Sequence, residues 1–424
     1  MRNLAALILI FFSFIPRAQQ GDFLLTEHLP RLSNLDNSNF EIINDLKGRI
    51  CIANRSGVIK YDGEAWDFYK TPSAALSLAV DSANIVYVGG IGSVGKIDFS
   101  EGKIQFQTLA QQDTLDDLFL ETLYLNGRVY FVGNKMLLIY HTIDQSVTQF
   151  EGEFINAYAL DQEVFVNAAD NHTYLVSDSL QQISAKKKVA STHQKAGNPE
   201  LVLDFNGKLF LYEDFNSEEL PQNKIIAERG YEIQEVRWIN ESLFVCSTFE
   251  SGLLFFDKDQ PEYIKVSDYH AGLADNEIFA LHTDDFSGVW AAHEFGITQI
   301  SPLFPAFSYA HFPGLNGNLI STSFYKDELW VTTSLGLFYF DRDTVFETKV
   351  YYETVSTQKK KTTKTTKKKE TTPKASDQKI SLKRLFGKKN RAKQQNEEKG
   401  KEEKDEIKEE MKSEESKGKQ YLTN

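Results

Sequence analysis

The amino-acid sequence predicts an all-β fold, a β-propeller of seven or eight blades with a disordered, charged C-terminal tail. Three observations carry this expectation. A strand–turn–strand–turn–strand phrase recurs along the chain. Its plainest copy spans residues 276–297, with turns at Ser287-Gly288 and at Glu294-Phe295-Gly296. The second strand of the phrase, a short aromatic or β-branched run, falls at 49–53, 85–89, 129–133, 164–168, 208–212, 243–247, 289–293 and 329–333. From Ile52 to Thr332 that is 280 residues in seven intervals, a mean period of 40. One small sheet cannot bury its own faces, so a repeat of this length stacks on copies of itself. Turn formers precede the runs, among them Asn126-Gly127 and Asn206-Gly207. Both central residues of a tight hairpin must tolerate positive φ, so the two Asn-Gly pairs read as one equivalent position.

Taken in order, residues 1–20 read as a secretory signal. Met1 and Arg2 give a basic start, Leu4 to Ile15 an apolar run, and Ala18 a cleavage point. The apolar run is short for a membrane span. Residues 25–350 hold the repeats, beginning with a strand at 40–45 and a turn at Lys47-Gly48. The two cysteines, Cys51 and Cys246, fall in separate second strands, and two buried thiols are expected rather than a disulfide. Trp290 and Trp330 share one repeat position and are expected in the packing between blades, as is Trp66. Residues 351–424 change character. The stretch 359–393 carries 15 Lys and Arg against Glu370 and Asp377, while the whole chain is −13, which leaves −22 on residues 1–350. So polar a segment buries too little to offset its ordering entropy. Its basic part around residues 383–391 suits anionic surfaces, but no nucleic-acid partner is expected for an exported chain.

No phosphate-binding loop and no His-Glu-x-x-His is present, and the eight histidines form no ligand-spaced set. Gly89, Gly90 and Gly92 read as a blade turn, because no helix follows them. No cofactor, metal site or catalytic constellation is expected.

The phrase Ile-x-x-x-x-Asp-x-x-Gly, then an aliphatic strand, then Gly and a further aliphatic residue, resembles the two-component regulator propeller repeat. The best matches lie at residues 42–61, 278–300 and 329–339. Residues 56–66 resemble the start of the exported sensor part of Bacteroidetes regulators that carry a triple-tyrosine domain. The resemblance covers residues 38–345. It implies a propeller outside the inner membrane, periplasmic or extracellular, that senses a ligand, often a carbohydrate. The downstream output parts of that family are missing here, so a separate membrane signalling partner is one expectation.

In a four-stranded blade, the loop leading into the innermost strand and the turn between strands two and three share one rim. That placement nominates Asn54, Arg55, Asn134, Lys135, Asp170, His172, Glu250, Asn276, His293, Glu294 and Asn316 as a polar ligand-binding rim. The expected function is non-catalytic sensing of a small molecule or oligosaccharide. A propeller enzyme acting on polysaccharide and a protein-interaction scaffold stand as alternatives.

Overall fold

The structure is a computed structural model. It describes residues 21–340 apart from 31, 33–34, 101–103, 112–116, 184–187, 214–215, 313 and 327. The expected signal peptide and charged tail lie outside the described residues.

Seven four-stranded antiparallel sheets form the blades of a ring. Their innermost strands are Asn39–Asn44, Ala75–Val80, Glu121–Leu125, Phe154–Leu160, Val189–His193, Ile233–Trp238 and Ala280–Thr283. Each lies beside the innermost strand of the next blade, and the seventh lies beside the first. The ring closes by exchange. Blade 7 takes only three strands from its own repeat, and its outermost strand is Leu24–His28, from the beginning of the body. That strand pairs antiparallel with Gly296–Ser301, Leu24 opposite Ser301 and His28 opposite Ile297.

The core lies between blades, as a stacked repeat requires. One cluster joins Ile42, Ile52 and Ile59 of blade 1 to Ala280, Trp290 and Ile297 of blade 7. Another joins Leu203 and Leu209 of blade 5 to Trp238, Phe244 and Phe256 of blade 6. Cys51 and Cys246 are free and fully buried in blades 1 and 6, as expected. Among the described residues the helical pieces are short, Asn223–Arg229 between blades 5 and 6 and one turn at Tyr269–Ala271.

The eighth repeat behaves differently. Residues from Gly317 onward form a separate unit, whose described part is a three-stranded sheet of Leu319–Tyr325, Glu328–Thr333 and Gly336–Tyr339. Leu319, Ile320, Phe324, Leu335 and Leu337 are all exposed there. The expected single propeller body over 25–350 is therefore a seven-bladed ring ending by Asn316 and a second unit after it.

Blade 5 corrects a second expectation. The run at 208–212 belongs to its third strand, Leu209–Glu213, and the second strand is Glu200–Asp204. Asn206-Gly207 turns between strands two and three, whereas Asn126-Gly127 turns between strands one and two. The two Asn-Gly pairs thus sit at opposite ends of their blades. A tight antiparallel connection has the same chemistry wherever it occurs, so the dipeptide marks a hairpin without saying which one.

Candidate functional site

The upper rim gathers the loops that lead into the innermost strands and the turns between strands two and three. Ten of the eleven expected rim residues fall on it, but in two different states. Asn54 and His293 are buried at the ends of second strands. The Asn54 amide donates to the Asp36 and Ser38 carbonyls and to Asn39 Oδ1, and its oxygen accepts from the Ser56 amide. It ties the incoming loop of blade 1 to its own turn. His293 Nε2 lies 2.8 Å from Thr298 Oγ1 and Nδ1 accepts from the Phe295 amide. Burial lowers its pKa below the usual imidazole range. Asn276 likewise is spent on the Tyr269 amide. These three shape the rim.

The remaining rim residues present side chains. Arg55 faces Asp36 at 3.9 Å, both half-exposed. Lys135 is exposed, and the turn it occupies with Asn134 is held by Asp117, which accepts both their backbone amides. Asp170 accepts from the His172 amide and the Tyr174 hydroxyl, with His172 Nδ1 at 3.2 Å. Those bonds, the His172 amide first, hold its carboxyl below the usual range. Glu250 and Glu294 are exposed. Two exposed aromatics, Phe295 at 57%, also expected on the rim, and Tyr269 at 67%, lie on the same face. A cavity opens where the entry to blade 1 meets blade 7, lined by Leu29, Leu35, Asp36, Asn39 and Gly296. Asn316 is exposed and follows blade 7 at the end of the ring unit rather than in a rim turn.

A second set of polar side chains lines the axial channel, and sequence reasoning missed it. An innermost strand is the edge of its sheet, so its axis-facing N–H groups need partners from elsewhere. Glutamates of neighbouring blades supply them. Glu41 Oε2 accepts from the Leu78 amide at 2.6 Å, Glu121 Oε2 from the Ala157 amide, and Glu235 Oε2 from the Leu281 amide at 3.1 Å. At the joint between blades 5 and 6, His193 Nδ1 accepts from the Trp238 amide at 2.9 Å, which leaves the ring proton on Nε2. The pairing register places Glu41, Ser77, Glu121, Asn156, Ser191, Glu235 and Ala280 at one level of the channel. Two residues further along, His193, Arg237 and His282 share the next level on three consecutive blades.

The electrostatics of this cluster come from its enclosure. Burial raises the Glu41 pKa to about 8; Glu235 and Glu121 add to the rise, while the Leu78 amide and Arg237 oppose it. Arg237 is paired with Glu235 and also donates to the Val236 carbonyl. Burial, with Arg237 and Lys195 nearby, lowers His282 to about 3 and holds His193 well below its usual value. His282 Nε2 is buried and has no hydrogen-bond partner among the described residues. The signal for these residues was faint, because a polar residue alternating with aliphatic ones in a strand looks the same on a channel wall as on a wet surface.

Comparison with known proteins places the fold. No family model matches the chain, and no curated protein matches it. Among solved structures, the extracellular domain of the putative hybrid two-component system BT3049 from B. thetaiotaomicron superposes with a TM-score of 0.55 at 13% identity, over 75% of this chain and 48% of that one. The corresponding domain of BT4673 gives 0.52 at 13% identity, over 76% and 45%. A streptogramin B lyase gives 0.51 at 13% identity, over 66% of this chain and 98% of the lyase. The chain spans about half the length of the two regulator domains. The likeness is one of propeller fold, shared by extracellular regulator domains and by an enzyme. Among the described residues no helix is long and apolar enough to cross a membrane.

Proposed function

We propose that this chain is an exported, non-catalytic sensing propeller that binds a small polar ligand, an oligosaccharide being the leading class, at its upper rim. The observation that carries the reading is the mixed rim itself. Arg55, Lys135, Asp170, His172, Glu250 and Glu294 are exposed in the turns of blades 1, 3, 4, 6 and 7, on the face of a closed ring that also carries the exposed rings of Phe295 and Tyr269. Sugars are bound by that combination, aromatic faces for C–H surfaces and planar charged or amide groups for hydroxyls. Loops on a rigid scaffold are where propellers place such groups. The extracellular regulator domains of the same fold support an exported sensing role, and a separate membrane partner would carry the signal onward.

A glycan array followed by thermal shift on residues 21–340 tests this. One oligosaccharide class should raise the melting temperature, and Phe295→Ala with Glu294→Gln should abolish the shift while leaving the unliganded melting temperature within about 2 °C, as surface changes do. Chemical turnover of the bound ligand would replace the sensing reading with an enzymatic one, which the lyase of the same fold keeps in view.

A further inference from the structure

We propose that the open edge of the eighth repeat, strand Gly336–Tyr339, is a docking site for residues 344–351 of this same chain, which add to it antiparallel as a fourth strand. Three observations lead there.

The first is the edge itself. Each sheet of the ring has four strands, whereas among the described residues the eighth sheet has three, with Gly336–Tyr339 outermost. An edge strand offers a row of backbone N–H and C=O groups to any extended segment nearby. In blades 1 to 6 the same edge is covered by the strand that comes next in the chain.

The second is a correspondence with blade 6. Gly252-Leu253-Leu254-Phe255-Phe256-Asp257-Lys258-Asp259 is matched 84 residues later by Gly336-Leu337-Phe338-Tyr339-Phe340-Asp341-Arg342-Asp343. At the same offset, Lys265-Val266 recurs as Lys349-Val350. In blade 6 this stretch is the third strand, a turn, and the fourth strand Gln260–Ser267. Asp257 makes the turn, its Oδ1 accepting from the Asp259 amide at 2.9 Å. Asp341 and Asp343 keep that pair, so the same local bond closes the same hairpin.

The third is the segment. Thr344-Val345-Phe346-Glu347-Thr348-Lys349-Val350-Tyr351 is rich in β-branched and aromatic residues and holds no Gly or Pro. Four residues, 340–343, join it to the edge. So short a connection gives it an effective concentration far above that of a second copy. Blade 6 also supplies the register. Leu254 stands opposite Val266 and Leu253 opposite Ser267, which sets Phe338 opposite Val350 and Leu337 opposite Tyr351. Ile264 and Val266 of that fourth strand pack on the core shared by blades 5 and 6, and Thr348 and Val350 are their counterparts.

Cysteine pairs in the full chain test the register. Phe338→Cys with Val350→Cys, and Leu337→Cys with Tyr351→Cys, put thiols on directly opposite residues, and mild oxidation should link at least one pair within a single chain. Phe338→Cys with Lys349→Cys is slipped by one residue, which turns the side chains to opposite faces, and should link at least about tenfold less. The native Cys51 and Cys246 are fully buried and do not compete. Hydrogen exchange on the unaltered chain reads the same strand without any substitution. The amides of 344–351 that pair with the edge should exchange at least about tenfold more slowly than in the urea-unfolded chain. Four results overturn the proposal: no link in either aligned pair, equal linking in the slipped pair, links between two chains on a non-reducing gel, which would give the edge to a second copy, or exchange throughout 344–351 at the unfolded rate.

Discussion

At the scale of single residues, Glu41 couples the ring to pH. Its carboxyl is raised by burial from 4.5 to about 8 in the folded chain. Between those values the folded protein holds a proton that the unfolded chain gives up. Its stabilising contribution is therefore complete below pH 4.5 and is lost as pH rises to about 8. His282 works the other way, since its pKa is lowered from 6.5 to about 3, and it costs stability as pH falls below 6.5. Urea unfolding between pH 6.5 and 8.5 reads the first effect as the difference between wild type and Glu41→Gln, since Glu200, raised by burial to about 7, contributes to both. The wild-type midpoint should fall across that window, and Glu41→Gln should fall less. Trp290 tests packing. It is 3% exposed, stacks on His28 at 5.0 Å between centroids, and donates from Nε1 to Asp284 Oδ2 at 2.8 Å. Trp290→Ala should cost about 3–5 kcal/mol in urea unfolding. Trp330 shares the repeat position but is half-buried, stacks on Tyr339 of its own sheet, and finds no partner for Nε1 among the described residues. Its replacement by Ala should cost clearly less in the same measurement. The repeat position alone predicted core packing for both, and only the ring supplies the second face that makes it true of Trp290.

Among elements, the closing strand Leu24–His28 matters most. Its His28 lies against Tyr61, Trp66 and Trp290, and its Leu25 packs on the blade 6–7 core. Deleting residues 21–28 should uncover the edge of Gly296–Ser301 and leave those rings without a lid. Lowered melting temperature with aggregation in size-exclusion chromatography is the expected outcome, because an open edge recruits other strands. This element was not legible in the sequence. Leu-Leu-Thr-Glu-His has no distinctive pattern, and its partner strand lies about 270 residues away, with 271 separating His28 from Gln299. The second strands were legible in seven repeats of eight because each is an apolar run flanked by turns, six of them buried within the ring and the seventh, Glu328–Thr333, only partly buried. Blade 5 slipped because its longer first connection, residues 194–199, carries the weaker signal and the Asn206-Gly207 hairpin the stronger one. For the rim, the sequence placed the residues but not their state. Nothing in a single Asn or His says whether a turn will spend it on its own amides, as happens to Asn54 and His293.

For the molecule as a whole, seven blades complete the ring, so the ring should not need the residues beyond Asn316. Residues 21–316 should fold alone and keep one cooperative unfolding transition in calorimetry, with a melting temperature close to that of the full chain. Loss of cooperativity in that shortened chain would show that the exposed sheet of Leu319–Tyr339 takes part in the ring's stability. The rim belongs to residues before Gly317, so ligand binding there should survive the same truncation.

The strand exchange that closes the ring also sets an order of events in time. Leu24–His28 leaves the ribosome before any blade exists and cannot pair until residue 301 has been made. Bringing ends this far apart together costs about 5 kcal/mol of chain entropy, and that cost must be met before the contact returns anything. The blades between can form one after another from local hairpins, but the last joint waits for the first-made segment to return. Refolding should therefore show a late, slow step reported by Trp290 and Trp66 fluorescence after most strand signal has appeared. Until that step the nascent chain carries a free strand, Leu24–His28, and an open edge on Gly296–Ser301, so its safe passage depends on joining the two before either meets a stranger.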